Sequence, residues 1–332
     1  MSDYAFRINA EITNFEQALA NGGVTHSIPS MFTWWASTYL SPRLVNVFGC
    51  ADIPEIFASE IARRAAELGG EVVVLSLGSG DCEFERSVHE LLPSEVRARW
   101  TCTDLNPVVT QHAGRVLRKH GHGDAFSFQT LDLNLEFVQG KYDVVMINHA
   151  LHHFLNLEFI FEGIRRCLKP GGRILVSDMV GRNGHMRWPE ALGVVQSLWA
   201  SLPDEYRFNN HAKCIEGLAF NNYDCTSNGD FEGVRAQDIL PLLLRSFNFE
   251  KFVGFGNIPD VFLDRAYGPN FTPARDFDLR FIRLCEDLNN HLIDGGYIKP
   301  TMMIGVLTLE PPVSETFDRW SADFSMRDPD RG

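Results

Sequence analysis

Three histidines lie close together near the middle of the chain, at positions 149, 152 and 153. Imidazole titrates near neutral pH, so His149, His152 or His153 could remove a proton from an oxygen or nitrogen group. Alternatively, these histidines could have a structural role and support the loop in which they lie. We predict His149 and His153 as candidate catalytic residues. The spacing between those two would also suit a metal ion, but no carboxylate or cysteine lies in register with them, so no metal site is predicted.

A glycine pair follows an apolar run and could hold a ligand against the backbone. Residues 72–77 read Val-Val-Val-Leu-Ser-Leu, and Gly78, Ser79 and Gly80 come next. A continuous apolar run of this length predicts a strand buried on both faces. Glycines let the backbone approach a ligand where a Cβ would collide, as in the first half of a βαβ nucleotide site. The Gly-x-Gly pattern alone is a weak signal, because many loops contain it.

Polar side chains end the next three predicted strands. Asp104 ends the second strand, where an acid can accept both hydroxyls of a ribose, and Asp132 follows the third, where a carboxylate can accept from an adenine amino group. Asn148 ends the fourth strand. A single acid at a strand end is more often a helix cap, but several aligned strand ends favour a ligand site at one edge of the sheet.

Two other nucleotide-binding patterns do not fit this region. Glu83 stands where a dinucleotide fold needs its third glycine, and a carboxylate there argues against NAD and for a ligand without phosphates. The Gly-Lys-Ser/Thr sequence of a P-loop does not follow the glycines either.

Strands and helices alternate between residues 71 and 180. The predicted strands are 71–77, 97–104, 126–131, 142–148 and 173–180, with two more at 249–255 and 301–309. Helices are predicted over 53–68, from Pro107, over 158–168 and over 235–247, and residues 169–172 form a turn. This alternation predicts an α/β fold with a parallel sheet and helices on both faces.

Segments outside the alternation are predicted to cover this core. The predicted organisation is an N-terminal helical cap over 1–69, a core made of 70–181 and 235–312, a lid insertion over 182–234 and a helical insertion within the core over 258–298. An insertion as long as 182–234 inside a compact domain is usually a lid or a binding loop. The acidic tail from Glu310 is expected to be loose.

Aromatic and polar side chains in these segments could line a small-molecule pocket. The candidates for binding such a molecule are Trp34, Trp35, Tyr39, Arg187, Tyr267 and Asn270. Each alone is more simply explained by packing or loop structure, and the aromatic cap could also close over a cationic ligand. Two separate insertions favour a small or medium organic molecule in a closed cavity over a large polymer.

Composition limits the partners and the compartment. The 332 residues carry a net charge of -13 without a basic stripe, so a nucleic-acid partner is not expected. Apolar runs stay below the roughly 20 residues needed to span a bilayer, and the first residues do not resemble a signal peptide. Seven scattered cysteines without a CxxC pair indicate reduced thiols. We therefore predict a cytoplasmic protein without a membrane partner, and its oligomeric state stays open.

The strand-end motifs together resemble those of the class I S-adenosylmethionine-dependent methyltransferases. The motifs are Leu77-Gly78-Ser79-Gly80, Asp104, Asp132-Leu133, Asn148-His149-Ala150-Leu151-His152-His153-Phe154 and Leu168-Lys169-Pro170-Gly171-Gly172. The resemblance covers residues 70–180, and residues 235–309 in outline. It implies a doubly wound, Rossmann-like, mostly parallel seven-stranded sheet whose last two strands form an antiparallel hairpin.

The resemblance also implies which residues bind the cofactor S-adenosyl-L-methionine. They are Gly78, Ser79, Gly80, Asp104, Leu105, Asp132, Leu133 and Asn148. In this family the glycine loop lines the methionine part, the acid after the second strand holds the ribose, and the residues after the third strand hold the adenine. Two positions depart from the family: Ser76 stands where an acid is frequent, and Cys82 where a third glycine is frequent. Asp81 or Glu83 could supply the missing acid.

The predicted function is therefore methyl transfer from S-adenosylmethionine to a small or medium organic acceptor. The acceptor atom, whether oxygen, nitrogen or carbon, stays open. Transfer from a sulfonium is an in-line displacement, so alignment of the acceptor supplies much of the rate. An S-adenosylmethionine-binding enzyme of another reaction type and a non-catalytic binding module on the same fold are the alternatives, with a nicotinamide-dependent oxidoreductase more distant.

Overall fold

An eight-stranded sheet forms the centre of the protein in a computed structural model that describes residues 3–20 and 28–327. The strands, in chain order and including a separate two-stranded ribbon of β6 and β7, are β1 Val72–Leu77, β2 Ala98–Asp104, β3 Phe126–Thr130, β4 Tyr142–Asn148, β5 Leu168–Met179, β6 Phe208–Asn209, β7 Cys214–Ile215, β8 Asn248–Phe255, β9 Met302–Thr308 and β10 Glu315–Thr316. In space the large sheet runs β10-β8-β9-β5-β4-β1-β2-β3. Strands β1 to β5 pair in parallel, and β9 is antiparallel to both β5 and β8.

Helices cover both faces of this sheet. They are α1 Asp3–Ala20, α2 Ser30–Trp35, α3 Ser41–Phe48, α4 Ile53–Leu68, α5 Glu83–Glu90, α6 Pro107–Lys119, α7 Leu157–Cys167, α8 Pro189–Ala200, α9 Ala236–Ser246, α10 Asp260–Leu263, α11 Asp276–Asp294 and α12 Ala322–Ser325. In the described ranges, none of the helices has the length and apolar character that a membrane crossing requires.

Strand β4 shows why the sheet needs helices on both sides. Its side chains alternate between the two faces, as the period of a strand requires. Val144 and Met146 belong to one apolar cluster, whereas Val145 and Ile147 belong to the other, and all four are fully buried. A strand with two apolar faces is stable only between two helical layers, which is the doubly wound arrangement.

The predicted α/β fold is confirmed, and the two last long strands pair antiparallel as expected. They do not form a tight hairpin, because α10 and α11 lie between them in the chain. The predicted turn at 169–172 lies inside β5, where the pairing with β4 shifts register between Tyr142 and Val144.

Two expectations about the surrounding segments differ from the structure. The sheet has eight strands instead of seven, because β10 adds two residues in parallel to the edge strand β8. The tail is packed at Trp320, which is 3% exposed and whose indole donates to Asp294 at 2.8 Å, whereas Val313 is 90% exposed. Segment 182–234 contains the twelve-residue helix α8.

The N-terminal region is helical as predicted, within residues 3–20 and 28–68. Helix α4 begins at the N-cap Asp52, whose carboxylate accepts from the Glu55 amide at 2.9 Å, and ends at Gly69 in the left-handed conformation. An aspartate at the N-cap and a glycine after the last turn are residue types that helix ends favour. Residues 1–2 and 21–27 of the predicted cap lie outside the described residues.

Candidate active site

The carboxyl ends of β1 to β4 open into one pocket, with about 710 Å³ of empty space including its mouth. The lining comprises Glu11, Ile12, Gly78, Gly80, Asp104, Leu105, Asn106, Leu131, Asp132, Leu133, Asn134, His149, Ala150, His153, Phe154 and Phe231. Open α/β sheets bind ligands at this edge. Helix α1 contributes Glu11 and Ile12, so the N-terminal helix lies over the pocket.

The glycine loop after β1 is held in a form that excludes larger side chains. Gly78 has φ +66°, and a Cβ there would lie 2.7 Å from the Ala150 Cβ. The Ser79 amide donates to the Thr103 carbonyl at 2.8 Å. The loop therefore presents bare backbone to the pocket, as a ligand that approaches closely requires.

Asp104 is half-buried below this loop and accepts hydrogen bonds from two backbone segments. Its carboxylate accepts from the Gly80 amide at 3.0 Å and from the Asn106 amide at 2.8 Å. Burial raises the pKa of Asp104, and the two amide bonds act in the opposite direction. The carboxylate lines the pocket, where its remaining lone pairs can accept from a ligand's hydroxyl groups.

Asp132, after β3, is contacted from the N-terminal helix. The Tyr4 hydroxyl donates to its Oδ2, and the Asn134 amide donates to its Oδ1 at 2.9 Å. Burial and the Asp132 carboxylate raise the pKa of Tyr4. The neighbouring Leu133 is 4% exposed and supplies an apolar wall. Both residues lie where the sequence placed a site for a flat, amino-bearing ring.

Position 76, where the family often carries an acid, is a serine here, and Glu85 of α5 brings a carboxyl group to it. The Ser76 hydroxyl donates to the Glu85 carboxyl group at 2.6 Å, and Glu85 is 3% exposed. Burial raises the pKa of Glu85 to about 7. Neither Asp81 nor Glu83 makes this contact: the Asp81 carboxylate accepts from the Glu83 amide at 3.2 Å.

Asn148 and His149 end β4 beside the glycine loop. The Asn148 Oδ1 is buried without a hydrogen-bond partner in the described part of the chain. His149 has φ +49°, a strained backbone for a non-glycine residue, and its ring is open to the pocket. Desolvation by the surrounding protein lowers the pKa of His149, although Asp178 acts to raise it.

His152 forms a buried pair with Asp178 at the end of β5. The His152 Nδ1 lies 2.6 Å from the Asp178 Oδ1, and the two residues are 3% and 0% exposed. The other carboxylate oxygen accepts from the amides of Ala150 and Leu151 at 3.0 and 2.7 Å. Burial lowers the pKa of His152, and although burial raises that of Asp178, the His152 ring holds it below its usual value. The pair is therefore a neutral imidazole that donates Nδ1–H to a carboxylate, and its Nε2 lies 3.6 Å from a Glu232 oxygen without a hydrogen bond.

His153 points instead toward carboxylates from distant segments. Its Nδ1 lies 3.2 Å from Glu11 and its Nε2 lies 3.5 Å from Glu232. Burial opposes the charge, but these carboxylates raise the pKa of His153 to about 9. Glu232 also accepts from the His185 Nε2 at 2.7 Å. Adjacent histidines therefore differ in charge because they have different partners.

The predicted acceptor-binding aromatic residues are placed in different surroundings. Trp35 is 1% exposed and its indole donates to Glu286 at 2.8 Å, in the core of the cap. Trp34 and Tyr39 pack edge-to-face, with ring centroids 5.9 Å apart. Tyr267 is 6% exposed and packs against Trp199. These side chains are used for packing and do not line the pocket described above.

The remaining two predicted acceptor-binding residues are polar. The Asn270 amide group donates to the Phe208 carbonyl at 2.7 Å, which fixes the 206–210 loop. The Arg187 guanidinium lies 3.6 Å from Asp260 and is largely buried, and its Nε lacks a hydrogen-bond partner among the described residues.

Several residues of the site were not singled out from the sequence. Tyr4, Glu11 and Glu232 come from segments far from the strand ends, and no local pattern marks them. Asp178 could have been found, because the strand-end rule that identified Asp104 and Asp132 applies equally to β5.

Known proteins resemble this chain in the region that builds the pocket. Residues 75–174 match the family model described as a methyltransferase domain. The chain is 26% identical over 206 residues to a polyketide synthase-nonribosomal peptide synthetase of Pyricularia grisea, covering 59% of this chain and 4% of that protein. It is 25% identical over 187 residues to the lovastatin diketide synthase of Aspergillus terreus, covering 51% and 8%. The chain thus spans only a small part of the length of these relatives.

One solved structure was also matched to this chain, at low sequence identity. The S-adenosylmethionine-dependent methyltransferase of Geobacter sulfurreducens, in complex with S-adenosyl-L-homocysteine, is 15% identical, with a TM-score of 0.40 over 76% of this chain and 90% of that one. The matched family segment runs from β1 into β5 and contains the ends of the four strands that form the pocket. By this match, residues 75–174 of the chain are a methyltransferase domain.

Proposed function

We propose that this enzyme methylates a carbon atom that lies next to carbonyl groups in a small or medium acyl substrate, and that His152 accepts the proton of that carbon. The observation that carries the proposal is the buried His152–Asp178 pair, which lies beside Ala150 and His153 of the pocket lining. S-adenosylmethionine supplies a methyl group that is already activated by the positive sulfur.

The pocket residues suit an adenosyl sulfonium. Asp104 offers carboxylate oxygens for ribose hydroxyls, and Asp132 with Leu133 offers an acceptor and an apolar wall for adenine. The Gly78 backbone lines the pocket at a position where a Cβ would collide with Ala150, and the Asn148 Oδ1, which has no partner among the described residues, is available near the sulfur end. We assign the predicted cofactor-binding residues on these grounds.

The His152–Asp178 pair supplies a positioned base, which a carbon acceptor needs and a preformed nucleophile does not. Asp178 is fixed by two backbone amides, so it holds the His152 ring in one orientation and one tautomer. The free Nε2 can then take a proton as the carbon nucleophile forms. A neutral, positioned imidazole contributes about 10²- to 10⁴-fold to such a step. His149 and His153 remain candidates, but neither has a comparable hydrogen bond to a carboxylate.

The relatives support an acyl acceptor. Their names describe polyketide synthases, and polyketide chains carry carbonyl groups on alternate carbons. The carbon between two such groups is acidic enough for a histidine to deprotonate. Alignment of that carbon with the methyl group is the other contribution of the site, worth roughly 7 to 11 kcal/mol for a well-oriented pair.

We further propose that segment 182–234 is a lid over the acceptor. It brings His185 and Glu232 to His152 and His153, as a cover over that end of the pocket would. A closed site of this kind, together with the net charge of -13, favours a small molecule over nucleic acid. The seven free cysteines favour a reducing compartment such as the cytoplasm.

A panel of acceptors tests the proposal. Purified protein is incubated with deuteromethyl-labelled S-adenosylmethionine and either a short β-ketoacyl thioester, a phenol or a primary amine of matched size. We expect a labelled product only from the thioester, with the label on carbon between the carbonyls by NMR. Methylation of the phenol or amine alone would refute the carbon assignment.

Proton removal can be measured apart from methyl transfer. With S-adenosylhomocysteine bound, the wild type should accelerate exchange of the acidic carbon-bound hydrogen with deuterated water. His152→Ala should lose this exchange and keep its affinity for S-adenosylhomocysteine. His211→Ala, at an exposed histidine outside the site, is the control and should exchange like the wild type. Unchanged exchange in His152→Ala would remove His152 from the role of base.

A further inference from the structure

Three imidazoles surround one carboxylate between the pocket and segment 182–234. The Nε2 atoms of His152 and His153 lie 3.6 and 3.5 Å from the two oxygens of Glu232. The His185 Nε2 lies 2.7 Å from the same carboxylate. One ligand atom each from His152, His153 and Glu232 lies within 4.8 Å of the others.

These separations are close to those of a metal-ligand set. Zinc binds imidazole nitrogen at about 2.0–2.1 Å and carboxylate oxygen at about 2.0–2.2 Å, so two ligand atoms of a tetrahedral ion lie about 3.4 Å apart. The Nε2 atoms need to move only a few tenths of an ångström toward Glu232 to reach that separation.

The opposite side of the His152 ring is also built as in metal sites. Metal-bound histidine usually donates its other ring N–H to a carboxylate, which sets the tautomer and the ring orientation. Here the His152 Nδ1 lies 2.6 Å from Asp178, which leaves the His152 Nε2 on the side of Glu232. The His153 Nδ1 lies 3.2 Å from Glu11 but makes no hydrogen bond within the described residues.

The charge balance of the cluster favours a cation. Three carboxylates, those of Glu11, Asp178 and Glu232, face three imidazoles in a region where Asp178 is fully buried. Asp178 is already paired with His152 and two backbone amides, so Glu232, which faces the Nε2 atoms, is the carboxylate that can coordinate a metal.

We propose that His152, His153 and Glu232 form a binding site for a divalent transition metal ion such as Zn²⁺, with a water molecule or substrate completing the coordination. Two imidazoles with one carboxylate select a borderline ion over Mg²⁺ or Ca²⁺, which prefer oxygen ligands. The sequence expectation of no metal site considered His149 and His153, which lack a carboxylate in register. The cluster instead uses His152 and a glutamate from a distant segment.

The bound ion has a consequence for catalysis. The Nε2 of His152 cannot hold a metal ion and accept a proton at once, so the metal-bound enzyme is the inactive form. This consequence depends on the proposed role of His152 as base, whereas metal binding itself does not. Zn²⁺ therefore acts as a reversible inhibitor that is removed by a chelator.

Cobalt binding tests the site directly. Untagged full-length protein is stripped with a chelator and titrated with Co²⁺, whose visible absorption reports four-coordinate nitrogen and oxygen ligands, and bound Zn²⁺ is counted by competition. We expect one ion per chain. Glu232→Gln and His153→Gln should each weaken binding by roughly 100-fold or more, because outer partners of a metal ligand alone are worth about 10- to 100-fold.

Controls separate the cluster from other histidines and from loss of fold. His211→Gln removes an exposed histidine and should bind Co²⁺ like the wild type. Each variant is also checked for S-adenosylhomocysteine affinity as a measure of folding. Absence of a stoichiometric Co²⁺ site in the wild type, or wild-type binding by a folded Glu232→Gln, would overturn the site.

The activity measurement distinguishes the two proposals. Inhibition by Zn²⁺ that a chelator reverses, and that Glu232→Gln weakens, supports both the site and the base. Stoichiometric binding without inhibition would support the metal site and overturn the assignment of His152 as base. If the enzyme does not methylate carbon, the proposed function is wrong, and cobalt binding still tests the metal site independently.

Discussion

Replacing Asp104 with alanine should weaken cofactor binding without unfolding the protein. The carboxylate already accepts amide hydrogen bonds from Gly80 and Asn106 at 3.0 and 2.8 Å, so in the bound enzyme it serves both the loop and the ribose. A hydrogen bond to a charged group contributes about 1.5 to 3 kcal/mol. Because the two ribose hydroxyls share one carboxylate, we expect a loss of about 1 to 3 kcal/mol, or roughly 5- to 150-fold in Kd.

Calorimetry with S-adenosylhomocysteine and its 2′-deoxy analogue measures this loss and assigns it to the ribose. In the wild type the deoxy analogue should bind more weakly, whereas in Asp104→Ala the two ligands should bind alike. A double-mutant cycle of this kind isolates the contact between Asp104 and the hydroxyl. Equal weakening of both ligands would instead place the effect in the loop.

Asp104→Asn provides the matched control for the loop. Its amide oxygen keeps one acceptor for Gly80 or Asn106 but carries no charge, so its affinity should fall between those of the wild type and Asp104→Ala. Thermal unfolding without ligand reports the cost of the lost backbone bonds. Wild-type affinity in a folded Asp104→Ala would refute the reasoning that this carboxylate holds the ribose.

Three further variants address the base, the glycine loop and a buried acid. His152→Ala should reduce kcat by about 10²- to 10⁴-fold in the methylation assay and leave the Kd for S-adenosylhomocysteine unchanged; a changed Kd with normal kcat would contradict its role. Gly78→Ala should abolish measurable cofactor binding, since the new Cβ lies 2.7 Å from that of Ala150 and φ is positive, and calorimetry that finds wild-type affinity would contradict this. Burial raises the pKa of Glu85 to about 7 from a model-peptide value of 4.5, so the native state keeps a proton that the unfolded state loses, and stability falls as pH rises through this window. Glu85→Gln should remove up to about 3 kcal/mol of this pH-dependent loss in the free energy of unfolding. Urea unfolding at pH 5 and 8 measures the effect, with Ser76→Ala as a control that keeps the acid. Equal pH dependence in the wild type and in Glu85→Gln would contradict the assignment.

Much of the fold and of the pocket could be predicted because their causes are local. The run before Gly78 is apolar on both faces, and this property fixes a central strand before any partner is known. Parallel strands bring their carboxyl ends to one edge, so Asp104, Asp132 and Asn148 follow from strand order alone. The same rule extended to the fifth strand would have placed Asp178 beside them.

The acceptor side could not be predicted in the same way. Composition does not distinguish an aromatic residue in a pocket wall from one in a core, and Trp35 and Tyr267 are buried as core residues. Glu11 and Glu232 reach the site through tertiary contacts between segments far apart in the chain. In the sequence, nothing distinguishes these two glutamates from glutamates on the protein surface.

The adjacent histidines show how far sequence spacing can assign chemistry. His152 and His153 share a loop, yet one ring faces a carboxylate fixed by two amides and the other faces two carboxylates from the covering segments. The first arrangement leaves a neutral ring with a free nitrogen, and the second favours a charged ring. Because Glu11 and Glu232 both come from covering elements, opening of α1 or of segment 182–234 would remove the charge from His153 while leaving the His152–Asp178 pair in the core unchanged. The strand ends therefore position the base His152, whereas α1 and segment 182–234 set the charge of the neighbouring His153.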